Sequence, residues 1–407
     1  MNKSLNEDYH KKWDNYNSII TTNEYVNDEN KNYFYKTNNV TFSQLSNKKK
    51  KIDFYIVGLW YGKNYGSMST YYTLHETVVK LGYTVMMLEN PLNPSNKSLF
   101  ENSHPYNIAK KFYHVSSKKK LQKLYKFNNE CKGYIVGSDQ LWNIGLSRKY
   151  ESFYFLGFAS NNTKKISYAT SFGKYYKGTE KEKKATSYYL RRFDGISVRD
   201  KLSFDICQKI FGLKDIVQVC DPTFLCDMSN YEILIKMSKL EEKDPYILAY
   251  ILDPNKIIGL RLEKLSIDKN MKVIVILDEN QKKFDINKKN MGLTGRGYIE
   301  VKQSMNLHDW MWYFNYSKSI ITDSFHGTIF SIIFKKPFIT LKNNKRGGLR
   351  FISLLEPISL MHRLFDSSEY INERYDLLDK CDFSLPYQKL NKIKEYSFLW
   401  LKKILKQ

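Results

Sequence analysis

Apolar residues in this chain fall mostly into short unbroken runs rather than alternating patterns, and the runs end in loops rich in Gly, Ser, Asp and Asn. The first run is Phe54-Tyr55-Ile56-Val57. It leads through Gly62-Lys63-Asn64-Tyr65-Gly66-Ser67 into a helical pattern from Met68 to Leu81, then a second run from Thr84 to Leu88. Strand, helix and strand in that order predict a βαβ unit. Further runs at Gly133-Tyr134-Ile135-Val136, at Lys165-Ile166-Ser167-Tyr168-Ala169 and at Gly195-Ile196-Ser197-Val198 extend it to a parallel sheet covered by helices.

The pattern breaks between 226 and 243, where polar and charged residues dominate, and restarts at Tyr246-Ile247-Leu248-Ala249-Tyr250. Lys272 to Leu277, Tyr298 to Val301, a Trp-rich helical stretch from Leu307 to Tyr316 and the run Ser319-Ile320-Ile321-Thr322 follow. Two successive βα series predict an α/β protein of two lobes, 52–225 and 244–385, joined by a linker at 226–243, with two sheets facing a cleft. Residues 1–51 read as an extension ending in four lysines, and 386–407 as a basic helix. Leu390, Ile393, Leu401 and Ile404 sit at helical spacing in that last segment, which suits packing on a lobe or contact with anionic lipid.

Length agrees with this division, since 407 residues exceed one ordinary core. A net charge of +23 favours anionic partners without choosing among them, and an Asn-, Lys- and Tyr-rich composition accounts for much of it. Five scattered cysteines with no Cys-x-x-Cys pair suit reduced thiols in a cytoplasm better than disulfides or zinc. The start of the chain has no apolar leader, and no uncharged apolar run reaches membrane-spanning length. The expected location is the cytoplasm, with peripheral contact at the inner membrane face left open by the basic C-terminal segment.

Ligands of open parallel sheets bind outside the carboxyl ends of the strands, so the loops that follow strands carry the candidate chemistry. In Asp323-Ser324-Phe325-His326-Gly327, Asp323 or Ser324 is placed to cap the next helix and Gly327 permits close backbone approach. His326 then falls in the first helical turn, where a bound anion favours its protonated form, a setting for an acid or base. Lys345-Arg346-Gly347-Gly348-Leu349-Arg350 offers two guanidinium groups for an anion. Ser138, Asp139, Gln140 and Asn143 surround Trp142 in a loop that suits either a sugar or a turn closed by a buried indole. The loop from Gly62 to Ser67 opens onto a helix N-terminus but lacks the P-loop and dinucleotide-binding patterns. Arg199 is expected to face the cleft, while Asp200 and Asp221 are expected to cap the segments after them. No zinc, nucleophile-elbow, kinase or RNA-recognition signature is present. Nucleic acid, metal and cofactor are therefore not expected as partners.

With these residues assembled, the chain resembles the polysaccharide pyruvyl transferase family from about Ile52 to Phe365. Asn64-Tyr65-Gly66-Ser67, Val136 through Asn143, Ser197-Val198-Arg199-Asp200, Asp221-Pro222-Thr223 and Ser324-Phe325-His326-Gly327 through Pro337 carry the resemblance. It implies two Rossmann-like lobes similar to the GT-B glycosyltransferase arrangement, and transfer of pyruvate from phosphoenolpyruvate onto two hydroxyls of a sugar as a cyclic ketal. It implies donor contacts by Arg199, Arg346, Arg350, Ser324, Asn64, Gly66 and Ser67. His326 is then the acid or phosphate ligand and Asp139 a base or sugar contact, with Ser138, Gln140, Trp142 and Asn143 on the acceptor side. The acceptor is expected to be a saccharide or a lipid-linked saccharide. Many members carry Asp where this chain has Ser67. A nucleotide-sugar-dependent glycosyltransferase of GT-B type and a non-catalytic glycan-binding protein are the competing readings.

Overall fold

The computed structural model describes residues 52–60, 64–88, 124, 128, 130–150, 152–242, 244–277, 281–303, 305–366 and 371–407. The expected extension 1–51, together with Gly62 and Lys63, lies outside the described residues. The chain divides into two compact units. Among the described residues, those before Asn64, Ser67–Cys226 and Lys394–Gln407 form the first; Asn64–Gly66 and Asp227–Ile393 form the second.

The first unit is built on six parallel strands: β1 (Phe54–Val57), β2 (Val85–Leu88), β3 (Gly133–Val136), β4 (Lys164–Thr170), β5 (Gly195–Val198) and β6 (Ile216–Gln218). Their order is β2-β1-β3-β4-β5-β6. Every residue of β1, β2 and β3 is buried, as unbroken apolar runs covered on both faces require. The chain moves outward from β1 to β2 and returns on the other side of β1 to make β3, so the topological switch point lies between β1 and β3. Tyr71, on the helix Tyr65–Lys80, fills the space above this point and donates from its hydroxyl to Ser138 O at 2.7 Å. Gly58 and Gly137, the first residues after the two strands, make that possible. A Cβ on them would fall 1.9 Å from the Tyr71 hydroxyl oxygen and 2.5 Å from its ring.

The C-terminal helix, Ser384–Lys406, covers the far side of this sheet with its last turns. Ile404 lies on Gly195, whose absent Cβ leaves the room, and Ser397 Oγ accepts the Cys220 amide at 3.0 Å. The apolar stripe of that helix is thus taken up by the protein, with Leu390, Leu401, Ile404 and Leu405 all buried. Of the two settings the sequence allowed for this stripe, packing on a lobe is the one observed.

The second unit repeats the plan with β7 (Tyr246–Tyr250), β8 (Lys272–Ile276), β9 (Ile299–Lys302), β10 (Ser319–Thr322), β11 (Phe338–Leu341) and the two-residue edge β12 (Leu364–Phe365). Their order is β12-β11-β10-β7-β8-β9, again all parallel, so the switch point falls between β7 and β10. The stretch 226–243, read as linker, carries a helix at Met228–Ile235. Its Tyr231 packs edge-on against Phe330 at 5.5 Å, which makes this helix a working layer of the second unit.

All five cysteines are free, and four are buried. Burial pushes the Cys207 thiol up to about 12 and Cys220 up to about 11, which keeps both protonated and unreactive at neutral pH. Among the described residues no helix is long and apolar enough to cross a membrane.

Candidate active site

In the first unit the loop after β3 is held in an unusual conformation. Asp139 has φ 98°, a left-handed backbone that non-glycine residues adopt only where the surroundings impose it. The imposing element is the irregular end of β4. Ala169 also takes a positive φ of 55°, the register shifts between Ser167 and Thr170, and Thr170 then pairs with Asp139. Thr170 Oγ1 donates to Gly137 O at 3.1 Å, and the Ser171 amide donates to Asp139 O at 2.9 Å.

The Asp139 carboxylate so presented receives Ser67 Oγ at 2.7 Å on one oxygen and the Gln140 amide at 2.8 Å on the other. Behind it lies Arg199, at the end of β5 and almost fully buried. Arg199 Nη1 donates to Asp221 Oδ2 at 2.8 Å and to Ser138 Oγ at 3.3 Å, while Nη2 stands 3.8 Å from Asp139 Oδ1. Burial alone lowers the affinity of Arg199 for its proton, but the Asp221 and Asp139 carboxylates outweigh it and shift the net balance upward. Asp221 serves twice, since its other oxygen accepts the Thr223 amide at 3.1 Å as a cap. Asp200 caps as expected, accepting the Ser203 amide at 2.8 Å, and its charge adds to those facing Arg199.

Four expected residues, Ser67, Ser138, Asp139 and Arg199, therefore form one network at the first switch point. Trp142 does not join it. Its indole is fully buried, stacks on Phe155 at 5.7 Å and donates to Tyr154 O at 3.1 Å, so the ring is core material with no face left for a sugar. Asn143 ties its loop to the segment after β4, donating to Phe172 O and accepting the Gly145 amide. The Gln140 side chain packs over Gly173, where a Cβ would meet its Oε1 at 2.5 Å.

In the second unit the capping role that the sequence left open between Asp323 and Ser324 falls to Ser324. Ser324 is the N-cap of the helix Phe325–Ile333, accepting the Gly327 amide at 3.2 Å. Asp323 instead reaches across the switch point. Its oxygens accept the Leu252 amide at 2.7 Å and the Asp253 amide at 2.9 Å, both from the loop after β7, and Asn343 Nδ2 at 3.1 Å. Burial pushes the Asp323 carboxyl up to about 6, aided by the neighbouring Asp253 charge and opposed by the two amides and Arg346. Gly327 lies against β10, where a Cβ would fall 2.3 Å from Thr322 Oγ1, and this seats the first helical turn directly on the strand end.

His326 occupies that first turn, nearly buried, with the Phe325 ring edge-on at 5.4 Å. The backbone of Gly66 presses on the imidazole: a Cβ at 66 would lie 2.0 Å from His326 Nδ1. Residues 260 positions apart in the chain are thus in direct contact. Tyr65, beside Gly66, is fixed by a stack on Trp310 at 5.2 Å and by its hydroxyl, which donates to Met305 O at 2.8 Å.

Arg346 forms a two-pronged pair with Asp253, Nε to Oδ2 at 3.2 Å and Nη2 to Oδ1 at 3.3 Å. Asn343 Nδ2 donates to the same carboxylate at 2.7 Å. Burial raises the Asp253 carboxyl, but the hydrogen bonds from Arg346 and Asn343 outweigh it and hold it below the usual carboxylate range. Arg350 stands over the Phe325 ring at 5.0 Å, a cation–π contact on the residue next to His326. Asn64, two residues before Gly66, is exposed. Asp253 and Asn343 were missed in the sequence, although Leu252-Asp253-Pro254 follows a strand and satisfies the same positional rule that singled out the other loops.

Comparison with known proteins bears on the family and the fold. A family model described as polysaccharide pyruvyl transferase matches residues 1–345. No curated protein sequence matches the chain. Among solved structures, the UDP-GlcNAc 2-epimerase of Neisseria meningitidis, bound to UDP-GlcNAc, is similar over 86% of this chain and 100% of its own, with 10% identity and a TM-score of 0.55. A glycosyltransferase of Rickettsia africae is similar over 88% of this chain and 100% of its own, with 14% identity and a TM-score of 0.54. The chain spans 64% of the length of a further similar structure, an O-GlcNAc transferase mutant of Thermobaculum terrenum. At such identities the likeness establishes the fold, two Rossmann-like units of the GT-B kind.

Proposed function

Because the chain belongs to the polysaccharide pyruvyl transferase family, and so to the polysaccharide-modifying transferases, we propose that it moves pyruvate from phosphoenolpyruvate onto two hydroxyls of a saccharide as a ketal. The balance of that reaction sets what the residues must do. The methylene carbon of the donor gains a proton, each acceptor oxygen forms a bond to C2, and the bond from C2 to the phosphate oxygen breaks. Of the two hydroxyl protons released, one replaces the proton supplied to the methylene and the other leaves with orthophosphate.

The observation that carries the reading is the setting of His326. A nearly buried imidazole stands in the first turn of a helix at a sheet switch point, pressed by the Gly66 backbone. Helix N-termini attract anions, and an anion there favours the protonated ring, so phosphoenolpyruvate would bring His326 into the form that delivers a proton or holds the phosphate. Arg346 and Arg350 flank the same end of the second sheet and supply positive charge to the donor's phosphate and carboxylate. Engaged by Asp253, Arg346 is a pre-oriented cation whose side chain keeps 40% exposure. Arg199 has 2% and acts through Asp139, holding that carboxylate where an acceptor hydroxyl gives up its proton.

Incubation with phosphoenolpyruvate and candidate acceptors tests this. Orthophosphate release coupled to a ketal product is expected from the native chain, and His326→Ala is expected to abolish it while the unfolding temperature stays within a few degrees. Release of a nucleoside diphosphate from a sugar nucleotide, with phosphoenolpyruvate untouched, would replace the reading by a glycosyltransferase. An active His326→Ala chain would remove His326 from the chemistry.

A further inference from the structure

The C-terminal helix turns its apolar stripe inward, and the face it leaves outside has a composition of its own. With about 100° between successive residues, Glu395, Tyr396, Leu399, Lys402, Lys403 and Lys406 fall within roughly a third of the circumference. All six are exposed, Tyr396 at 51% and Leu399 at 53%. After Glu395 the chain contains no further acidic residue. Two large side chains with apolar bodies thus lie in line with three lysines on one straight element.

The helix meets the first sheet at the starting edge of its strands. Lys164, the first residue of β4, donates from Nζ to Ile404 O at 3.4 Å, joining the starting edge of the first sheet to the last helical turns. Lys132, just before β3, is close to Lys164, but Asp53 pairs with it at 2.8 Å and Asp194 faces Lys164, so the excess of positive charge rests on the helix lysines. This rim is at the beginnings of the parallel strands, the edge opposite to the one that carries Ser138 and Asp139. A partner held there leaves Ser138 and Asp139 of the same sheet uncovered.

We propose that this face docks the protein on a bilayer bearing anionic headgroups. The lysines draw the helix to the negative surface, and Tyr396 and Leu399 enter the interfacial layer, where an apolar body with a polar tip is favoured. A soluble polyanion would engage the lysines but would gain nothing from Tyr396 and Leu399. That difference selects the lipid surface, and it is independent of the reaction proposed above.

Co-sedimentation of the full chain with vesicles tests it, using phosphatidylcholine alone and phosphatidylcholine with phosphatidylglycerol. Binding is expected only to the second, and weaker as salt is raised. The triple variant Lys402→Gln, Lys403→Gln, Lys406→Gln is expected to bind about a hundredfold more weakly, at about fivefold for each lysine. Tyr396→Ser with Leu399→Ser, which leaves the charge unchanged, is expected to weaken vesicle binding while leaving retention on a polyphosphate resin unaffected. Since all five positions are exposed, thermal melts should coincide with the native chain. Native-like vesicle binding by the lysine variant would overturn the proposal. So would an unchanged vesicle affinity in the Tyr396 and Leu399 variant, which would point to a polyanion site instead.

Discussion

Gly66 shows how one missing carbon can organise a site. It is the second residue of the helix Tyr65–Lys80, where replacing Gly by Ala ordinarily stabilises by about 1 kcal/mol. Here the added Cβ would stand 2.0 Å from His326 Nδ1, and overpacking of that kind costs about 1–3 kcal/mol. Gly66→Ala is therefore expected to lower the unfolding temperature and, by displacing the imidazole, to reduce transfer at least tenfold. Thermal melts together with phosphate-release kinetics check both effects. Arg199 calls for a different expectation. Removing it leaves Asp221 and Asp139 facing each other without their shared cation, and breaking a buried pair in this way costs about 3–5 kcal/mol. Arg199→Ala should thus appear first as a loss of stability in denaturant titration. A fully stable Arg199→Ala chain that had lost only donor affinity would place Arg199 on the donor.

At the scale of elements, Asp323 is the tie between β10 and the loop after β7, and its carboxyl links that tie to pH. Its proton affinity rises on folding, from 3.8 to about 6, so the folded chain binds this proton more tightly than the unfolded chain does. The contribution is fully present below about 4 and is lost as pH rises through about 6, an effect of roughly 3 kcal/mol. Asp253, held below the usual range by Arg346 and Asn343, runs the other way and loses its contribution as pH falls. Unfolding free energies of the native chain and Asp323→Asn, measured from pH 4 to 7, should therefore differ most in favour of the native chain at the acid end. A constant difference across that range would contradict the raised carboxyl. The elements themselves were legible in the sequence, because a strand buried on both faces writes an unbroken apolar run: Phe54–Val57 and Ser319–Thr322 occur at the expected bounds. Helix starts were less legible: the helix expected from Met68 begins at Tyr65, whereas the turn holding His326 falls where the sequence put it, with Ser324 as its cap.

At the scale of the molecule, the repeated βα series made the two Rossmann-like units readable, and positions after strands pointed to Asp139, Arg199 and His326. Long-range pairing was not readable. Nothing local to Arg346 names Asp253, 93 residues away, as its partner, and nothing beside Trp142 says that its ring is enclosed by Phe155 and Phe172. Those outcomes depend on which loops the strand order brings to one edge, and single-sequence patterns do not encode that order. The most direct measurement of the central claim is the reaction of the native chain with phosphoenolpyruvate and acceptor in heavy water. The account predicts one orthophosphate for each ketal formed and a single deuterium in each ketal methyl group, delivered to the donor's methylene carbon. Ketal methyl groups without deuterium, or turnover that consumes a nucleotide sugar and leaves phosphoenolpyruvate intact, would contradict it.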